Sequence, residues 1–280
     1  MFPTGVHRGV LMTTVIAIGN LKGGVAKTTT CLSLGGCLAE MGKIVLLVDL
    51  DPQAHLTLSL GLKPESIRYT VGEVLLGNLS LIGASRETGT FGLDIVPANQ
   101  SLSVVNKVLY RQKGYEFLLK QQIRALKDGM YDVILIDCPP ACGPLTLNAL
   151  TAADLLVIPV LCDYYAARSL RQTIGMAKLV RERTNPSLDY RILVTMYDRR
   201  IRLSSLILEQ LRQQLGRRVL QTVIEMDARL KETGSAGKPI NRYAPRSRGA
   251  DQYRLLAAEL LSGHTVSVPD LSIRAARGLP

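Results

Sequence analysis

A single α/β domain, with a mostly parallel twisted sheet and helices on both faces, is the fold this sequence predicts. Three observations carry that expectation. Short runs rich in valine and isoleucine recur along the chain, and most do not alternate polar with apolar residues. Strands buried on both faces of a parallel sheet read this way. Helix-compatible stretches lie between the runs, so strand and helix alternate as in a doubly wound sheet. The 280 residues are 47% hydrophobic and 20% charged, which is ample material for one large core.

The elements follow in order. TVIAIG (14–19) is the first strand, and Thr28–Met41 is the first helix, stopped by Met-Gly-Lys. Further strands are IVLLVD (44–49), LDIVPA (93–98), YDVILID (131–137), LLVIPV (155–160), RILVTM (191–196) and RVLQTVI (218–224). Further helices are expected near 101–128, 144–152, 165–184, 203–215 and 249–262. Residues 61–92 are the least regular part, with several glycines and short helical hints. No internal repeat, low-complexity tract or linker stands out. Residues 1–12 read as a disordered leader, 13–262 as one domain and 263–280 as a C-terminal tail; Met12 offers an alternative start.

Composition excludes several classes. No apolar run approaches the ~20 residues of a membrane helix. The first twelve residues lack the charged start and long apolar centre of a signal peptide. Five cysteines, an odd number in a chain of this length, read as reduced thiols rather than a disulfide framework, which points to a cytoplasmic protein. The net charge is +11, and residues 191–280 hold 16 Lys and Arg against 8 Asp and Glu. A soluble basic surface is one reading of that excess; a polyanion-binding face is the sharper one.

The stretch GNLKGGVAKTTT (19–30) carries the chemistry. An ordinary P-loop reads G-x-x-x-x-G-K-[ST]. Here Leu21 and Ala26 stand where its glycines belong, and Gly23 and Gly24 sit mid-loop behind an extra lysine, Lys22. Strand, glycine loop and helix still fall in the right order. That order gathers backbone N–H groups and the positive end of a helix dipole around an anion. Lys27 is expected to meet β- and γ-phosphate oxygens, and the Thr28 hydroxyl to meet Mg²⁺. Gly23 and Gly24 allow close backbone approach, with Val25 and Thr29 completing the loop. Ala26 is expected to avoid positive φ. Lys22, at the near end of the loop, could point outward to a second subunit's nucleotide or simply be a solvated surface lysine; spacing alone leaves both open.

A Mg-nucleotide site also needs carboxylates at the C-terminal ends of neighbouring strands. IVLLVDLDPQ supplies Asp49 and Asp51, and YDVILIDCPP supplies Asp137. One such aspartate is often only a helix cap or turn residue. Three at two strand ends beside a phosphate loop favour the functional reading. Asp137 is expected to hold Mg²⁺, Asp51 to orient the attacking water and Asp49 to support the metal shell, in a reaction that rests on positioning and electrostatics.

KGGVAKTT resembles the deviant Walker A loop, K-G-G-x-x-K-[ST], of the ParA/MinD family of partition and positioning ATPases. VLLVDLDPQ, LIDCPP, PLTLNALTAADLLVIPV, DYYAARSL and GKPINRYAPRSRGADQYRLLAAELL extend the resemblance to ParA/Soj-type proteins over about residues 13–262. It implies the P-loop NTPase architecture, ATP and Mg²⁺ as cofactors, and slow ATP hydrolysis stimulated by a partner. It makes Lys22 the lysine that crosses an ATP-dependent homodimer and Asp51 the residue needed for hydrolysis. It puts adenine near Thr195 and Met196.

The basic C-terminal third offers Arg199, Arg200, Arg202, Arg229, Lys231, Arg246 and Arg248, with few aromatics and no helix-turn-helix or zinc spacing. This suits contact with phosphate backbones rather than base reading. By the resemblance, Arg200 and Arg229 lie in segments that touch nonspecific DNA. The family reading therefore implies nucleoid association and a ParB-like or other adaptor protein, with a chromosome, plasmid or protein assembly as cargo. Relatives read I-P-R-N where this chain has Ile224-Glu225-Met226-Asp227. Two added carboxylates thus border the expected DNA face and the nucleotide edge. Other classes fare worse. A nitrogenase-like redox protein needs two cysteines per chain for a shared cluster, and Cys138 and Cys142 have the wrong spacing. A MinD-like membrane protein ends in an amphipathic basic helix, whereas residues 264–280 carry two prolines. A DNA-coating protein without hydrolysis has no need of Asp51 and Asp137.

Overall fold

Every central strand buries both of its faces, and two separate cores follow from that. The strands are β1 (Thr14–Ile18), β2 (Val45–Asp49), β3 (Arg86–Thr90), β4 (Leu93–Val96), β5 (Val133–Asp137), β6 (Leu155–Val160), β7 (Asp189–Tyr197) and β8 (Val219–Glu225). The computed structural model describes residues 13–262; the expected leader and tail lie outside the described residues. In β1, Val15 and Ala17 enter one core while Ile16 and Ile18 enter the other. In β5, Ile134 and Ile136 oppose Val133 and Leu135 in the same way. The two-residue period of a strand sends successive side chains to opposite faces, so an apolar run with no alternation fills both.

The strands form one sheet in the order β3-β4-β2-β5-β1-β6-β7-β8. All pairings are parallel except β3 with β4, which is antiparallel. β1 lies between β5 and β6. The chain leaving β1 turns to β2 on one side, while β6 continues the sheet on the other. The C-terminal end of β1 is therefore a switch point, where open α/β sheets form a ligand crevice.

The helices are α1 (Lys27–Glu40), α2 (His55–Leu58), α3 (Val71–Leu75), α4 (Leu81–Ala84), α5 (Leu102–Leu109), α6 (Leu118–Arg124), α7 (Pro144–Ala152), α8 (Ala166–Arg183), α9 (Arg202–Leu215), α10 (Ala228–Ala236), α11 (Ile240–Tyr243) and α12 (Arg248–Ser262). α1 is buried almost all round, against the sheet on one side and α11 and α12 on the other. Gly36 makes that approach close: a Cβ there would meet Asn241 Oδ1 and Pro239 Cβ at 2.5 Å.

The seven expected strands are all present within a residue or two. β3 was not expected. It lies at the sheet edge with a mostly exposed RETGT sequence, and an edge strand that buries little carries no apolar signature. The expected helix at 101–128 is two helices, α5 and α6, separated at Gly114, which takes φ 73°. The irregular region holds α3 and α4, each capped by a side chain, Thr70 onto Gly72 N and Ser80 onto Gly83 N.

Candidate functional site

The Gly-rich loop runs from β1 into α1 and is fastened at both ends. Asn20 is buried and donates from Nδ2 to the Pro159 carbonyl at 2.7 Å. Its Oδ1 accepts from Lys22 N at 3.0 Å and from the Thr173 hydroxyl of α8 at 3.1 Å. At the far side, the Thr195 hydroxyl of β7 lies 3.1 Å from the Val25 carbonyl and 3.2 Å from that of Val160. Asn20 and Thr173 escaped the sequence reading, because nothing in their own neighbourhood marks residues 153 positions apart as partners.

Inside the loop, the Lys27 ammonium donates to the Lys22 carbonyl at 3.0 Å. Burial lowers its pKa, while the carboxylates Asp137 and, more weakly, Asp51 work in the opposite direction. The first helical hydrogen bond runs from Thr30 N to the Ala26 carbonyl at 2.9 Å. Ala26 itself lies at φ 63° and ψ 33°. This corrects the expectation that an alanine there avoids positive φ. The chain turns through Gly24 (φ 71°) and must turn again before α1 begins, and a methyl is the smallest side chain that tolerates the left-handed conformation. Among the described residues, the other two non-glycine residues at positive φ, Ala54 and Met196, also lie on this edge of the sheet, after β2 and within β7. Backbone strain of this kind concentrates at functional sites.

The carboxylates take distinct positions. Asp137 ends β5 and is almost wholly buried; its Oδ2 accepts from the Thr28 hydroxyl at 2.7 Å. Its Oδ1 is a buried oxygen with no hydrogen-bond partner among the described residues. Burial, then the neighbouring Asp49, pushes its pKa well above the usual carboxylate range. Asp49 ends β2 beside it in the sheet register. Burial raises Asp49 to about 6, against the hydrogen bonds it accepts. Those bonds fill both of its oxygens: Oδ1 takes Asp51 N at 3.1 Å, and Oδ2 takes Thr57 N at 2.9 Å and the Thr57 hydroxyl at 2.7 Å. The expected support of a metal shell by Asp49 thus meets a carboxylate already committed to the loop before α2. Asp51 sits in that loop, with Oδ1 accepting from Gln53 N at 2.9 Å.

Lys22 leaves the loop to form an ion pair with Asp163, in the turn between β6 and α8. A cavity of about 200 Å³ opens beside the loop. Thr195 and Met196 line it with Ala26 and Thr29, and the opposite wall comes from Glu225, Met226 and Asp227. Lys231, expected on the DNA face, also lines this cavity.

The basic residues gather at the ends of β7 and β8, where Tyr197 and Glu225 are register partners. Arg200 pairs with Asp198 through two hydrogen bonds of 3.0 and 2.7 Å. That pairing, a hydrogen bond first, lowers Asp198 to about 2. Arg199 and Arg248 both pair with Glu225. Arg202 begins α9 on the exposed surface. Arg229 lines an open cleft with Glu232, Tyr243 and Arg246.

A protein-family model described as an AAA domain matches residues 13–190. The sporulation initiation inhibitor protein Soj of Bacillus subtilis (strain 168) is 43% identical over 247 residues, covering 88% of this chain and 97% of Soj. The chromosome partitioning protein ParA of Caulobacter vibrioides is 38% identical over 250 residues, 89% of this chain and 94% of that one. The chain belongs to the ParA/Soj family of partition ATPases. Solved structures agree with that membership in architecture. The septum site-determining protein MinD from Pyrococcus horikoshii, complexed with Mg-ADP, has a TM-score of 0.73 at 26% identity, covering 92% of this chain and all of that one. A Mycobacterium smegmatis protein, described as cobyrinic acid a,c-diamide synthase with bound ATP analog and magnesium, has a TM-score of 0.79 at 39% identity, covering 89% of this chain and 95% of that one. The expected deviant P-loop architecture is therefore that of the family. Among the described residues no helix is long and apolar enough to cross a membrane.

Proposed function

We propose that this chain is an ATP-dependent dimerising switch that binds DNA without reading its sequence and moves a DNA or protein cargo through partner-stimulated hydrolysis. The observation that carries the reading is the pairing of Thr28 with Asp137, with the buried Asp137 Oδ1 left open beside it. A buried carboxylate oxygen without a partner is costly, and a cation would meet that cost. The donor set suits magnesium, which is typically held by one or two carboxylates and takes the rest of its ligands from phosphates and water. Thr28 Oγ1 and Asp137 Oδ1 are the groups that would hold it. When bound, the ion neutralises charge on the phosphates.

The chain's own residues do the rest. Gly23, Gly24 and the first turn of α1 offer N–H groups to the phosphates of ATP. Lys27 exchanges its bond to the Lys22 carbonyl for phosphate oxygens. The cavity lined by Thr195 and Met196 takes the adenine. Asp51 orients the attacking water, and Asp49 fixes the turn that carries Asp51. Lys22 leaves Asp163 to reach the nucleotide of a second subunit. Arg200, Arg202, Arg229 and Lys231 supply contacts to DNA phosphates, which would put the ATP form on the nucleoid; Arg199 and Arg248, expected on the same face, are engaged by Glu225 instead. A ParB-like or other adaptor would stimulate turnover.

Phosphate release is the test. Release should be slow and should fall at least ~10²-fold in Asp51→Ala, while that variant still forms the ATP dimer. Unchanged turnover moves the role to another residue. The M. smegmatis relative suggests a second activity, amide synthesis. Release that occurs with ATP, magnesium and duplex DNA alone favours the switch; release that needs an acid and an ammonia donor favours the synthase.

A further inference from the structure

Glu225 closes β8 with a carboxylate only 6% exposed, and two arginines converge on it. Its Oε1 accepts from Arg199 Nε at 2.8 Å and lies 2.5 Å from Arg199 Nη2. Its Oε2 lies 3.0 Å from Arg248 Nη1, and Arg248 Nη2 donates to the Met226 carbonyl at 2.8 Å. The guanidiniums are the exposed members, with side chains 76% and 57% accessible. The backbone at Glu225 is also anchored, its N–H donating to Gln252 Oε1 at 2.9 Å. The Asp198–Arg200 pair beside it is different in kind. It spans two residues of one turn, whereas Glu225 draws in arginines from the turn after β7 and from α12.

A buried carboxylate must keep its cations, since leaving it unpaired is strongly unfavourable. Both arginines are therefore held at Glu225, although their side chains stay largely accessible. Arg248 spends two of its nitrogens on Glu225 and Met226, and Arg199 spends its Nε edge. The trio carries one net positive charge where its arginines alone would carry two. Nonspecific DNA affinity depends on the phosphates that cations neutralise. We propose that Glu225 is a positioning residue that holds Arg199 and Arg248 back from DNA, so that the face binds duplex more weakly than its arginine content implies. This rests on the DNA-binding reading above.

The test uses the full chain with ATP and magnesium, and measures fluorescence anisotropy of a labelled duplex across a salt series. Glu225→Gln keeps the shape and one acceptor but removes the charge. It should bind roughly 3- to 10-fold tighter near ~0.1 M salt, with log K against log[salt] steeper by about 0.9 for each phosphate newly neutralised. A double-mutant cycle separates this from a general surface effect. Arg199→Gln should weaken the native chain by no more than about twofold, yet remove most of the gain in the Glu225→Gln background. Equal or weaker DNA binding by Glu225→Gln overturns the proposal. So does an equal effect of Arg199→Gln in both backgrounds. Should Glu225→Gln fail to fold, Arg199→Gln in the native background decides: a tenfold loss overturns the proposal and a loss within about twofold supports it. If the native chain binds no DNA in any nucleotide state, the DNA reading falls and takes this inference with it. If it binds and Glu225→Gln is no tighter, only the role of Glu225 falls.

Discussion

At φ 63° the Ala26 methyl crowds the following carbonyl, which glycine would avoid. The left-handed conformation costs an L-residue roughly 1–2 kcal/mol, while a glycine gives back about 0.4–1 kcal/mol through a freer unfolded chain. Strain is the larger effect, so Ala26→Gly should stabilise the nucleotide-free protein by about 0.5 kcal/mol, read from the urea midpoint. A clear loss of stability would mean that the turn relaxes around alanine. The two lysines should separate at the same scale. Lys27 lies inside the loop against the Lys22 carbonyl, whereas the Lys22 ammonium lies outside it on Asp163. Lys27→Ala should abolish ATP binding in calorimetry. Lys22→Ala should bind ATP as a monomer and lose the ATP dimer, seen by size exclusion with light scattering. Both lysines were legible in the sequence as a signature; the Asp163 partner, 141 residues away, was not.

α1 and the loop that leads into it use different glycines for fold and site. Gly36 faces Pro239 and Asn241, and the Asn241 amide also donates to the Gly36 carbonyl at 3.0 Å. Gly36→Ala should therefore destabilise by about 1–3 kcal/mol, the range for overpacking a close contact, measured by urea or thermal unfolding. Gly23, in the loop that leads into the helix, has no heavy atom within 4 Å of an added Cβ and no positive φ. Gly23→Ala should leave stability within ~0.5 kcal/mol, yet weaken ATP binding because the methyl enters the phosphate space. A large stability loss at Gly23 would contradict the open geometry. Elements buried on both sides announced themselves through uniform apolar runs. β3 and α10 did not, since β3 buries little and α10 rests on Asp227 capping the Arg229 N–H.

Across the whole molecule, the loop edge and the basic face lie on one side of the sheet, since the loop follows β1 and the arginines follow β7 and β8. Arg200→Glu with Arg229→Glu should abolish DNA binding on any sequence and leave ATP binding intact, because neither residue lies in the phosphate loop. Anisotropy on two unrelated duplexes checks this. With a few arginines per subunit, the native ATP dimer should show a log–log salt slope of roughly −4 to −8. On the proposed switch, binding should require ATP, because a dimer would double the contacts. Equal binding without nucleotide would disconnect the loop from the face.

The sequence by itself determined the α/β architecture, the seven core strands and the loop with its Lys27-Thr28 pair and three aspartates. All of these are local patterns: an apolar run, a glycine turn, an acid at a strand end. Only the tertiary structure decided which of the acids are already engaged. Asp49 and Asp137 look alike in sequence, but Asp49 has both oxygens filled by Asp51 and Thr57, while Asp137 keeps one open. It also decided which arginines are already engaged, because Glu225 meets Arg199 and Arg248 only where β7, β8 and α12 come together. Hydrogen bonds and ion pairs between distant segments leave no periodicity along the chain, so packing alone can reveal them.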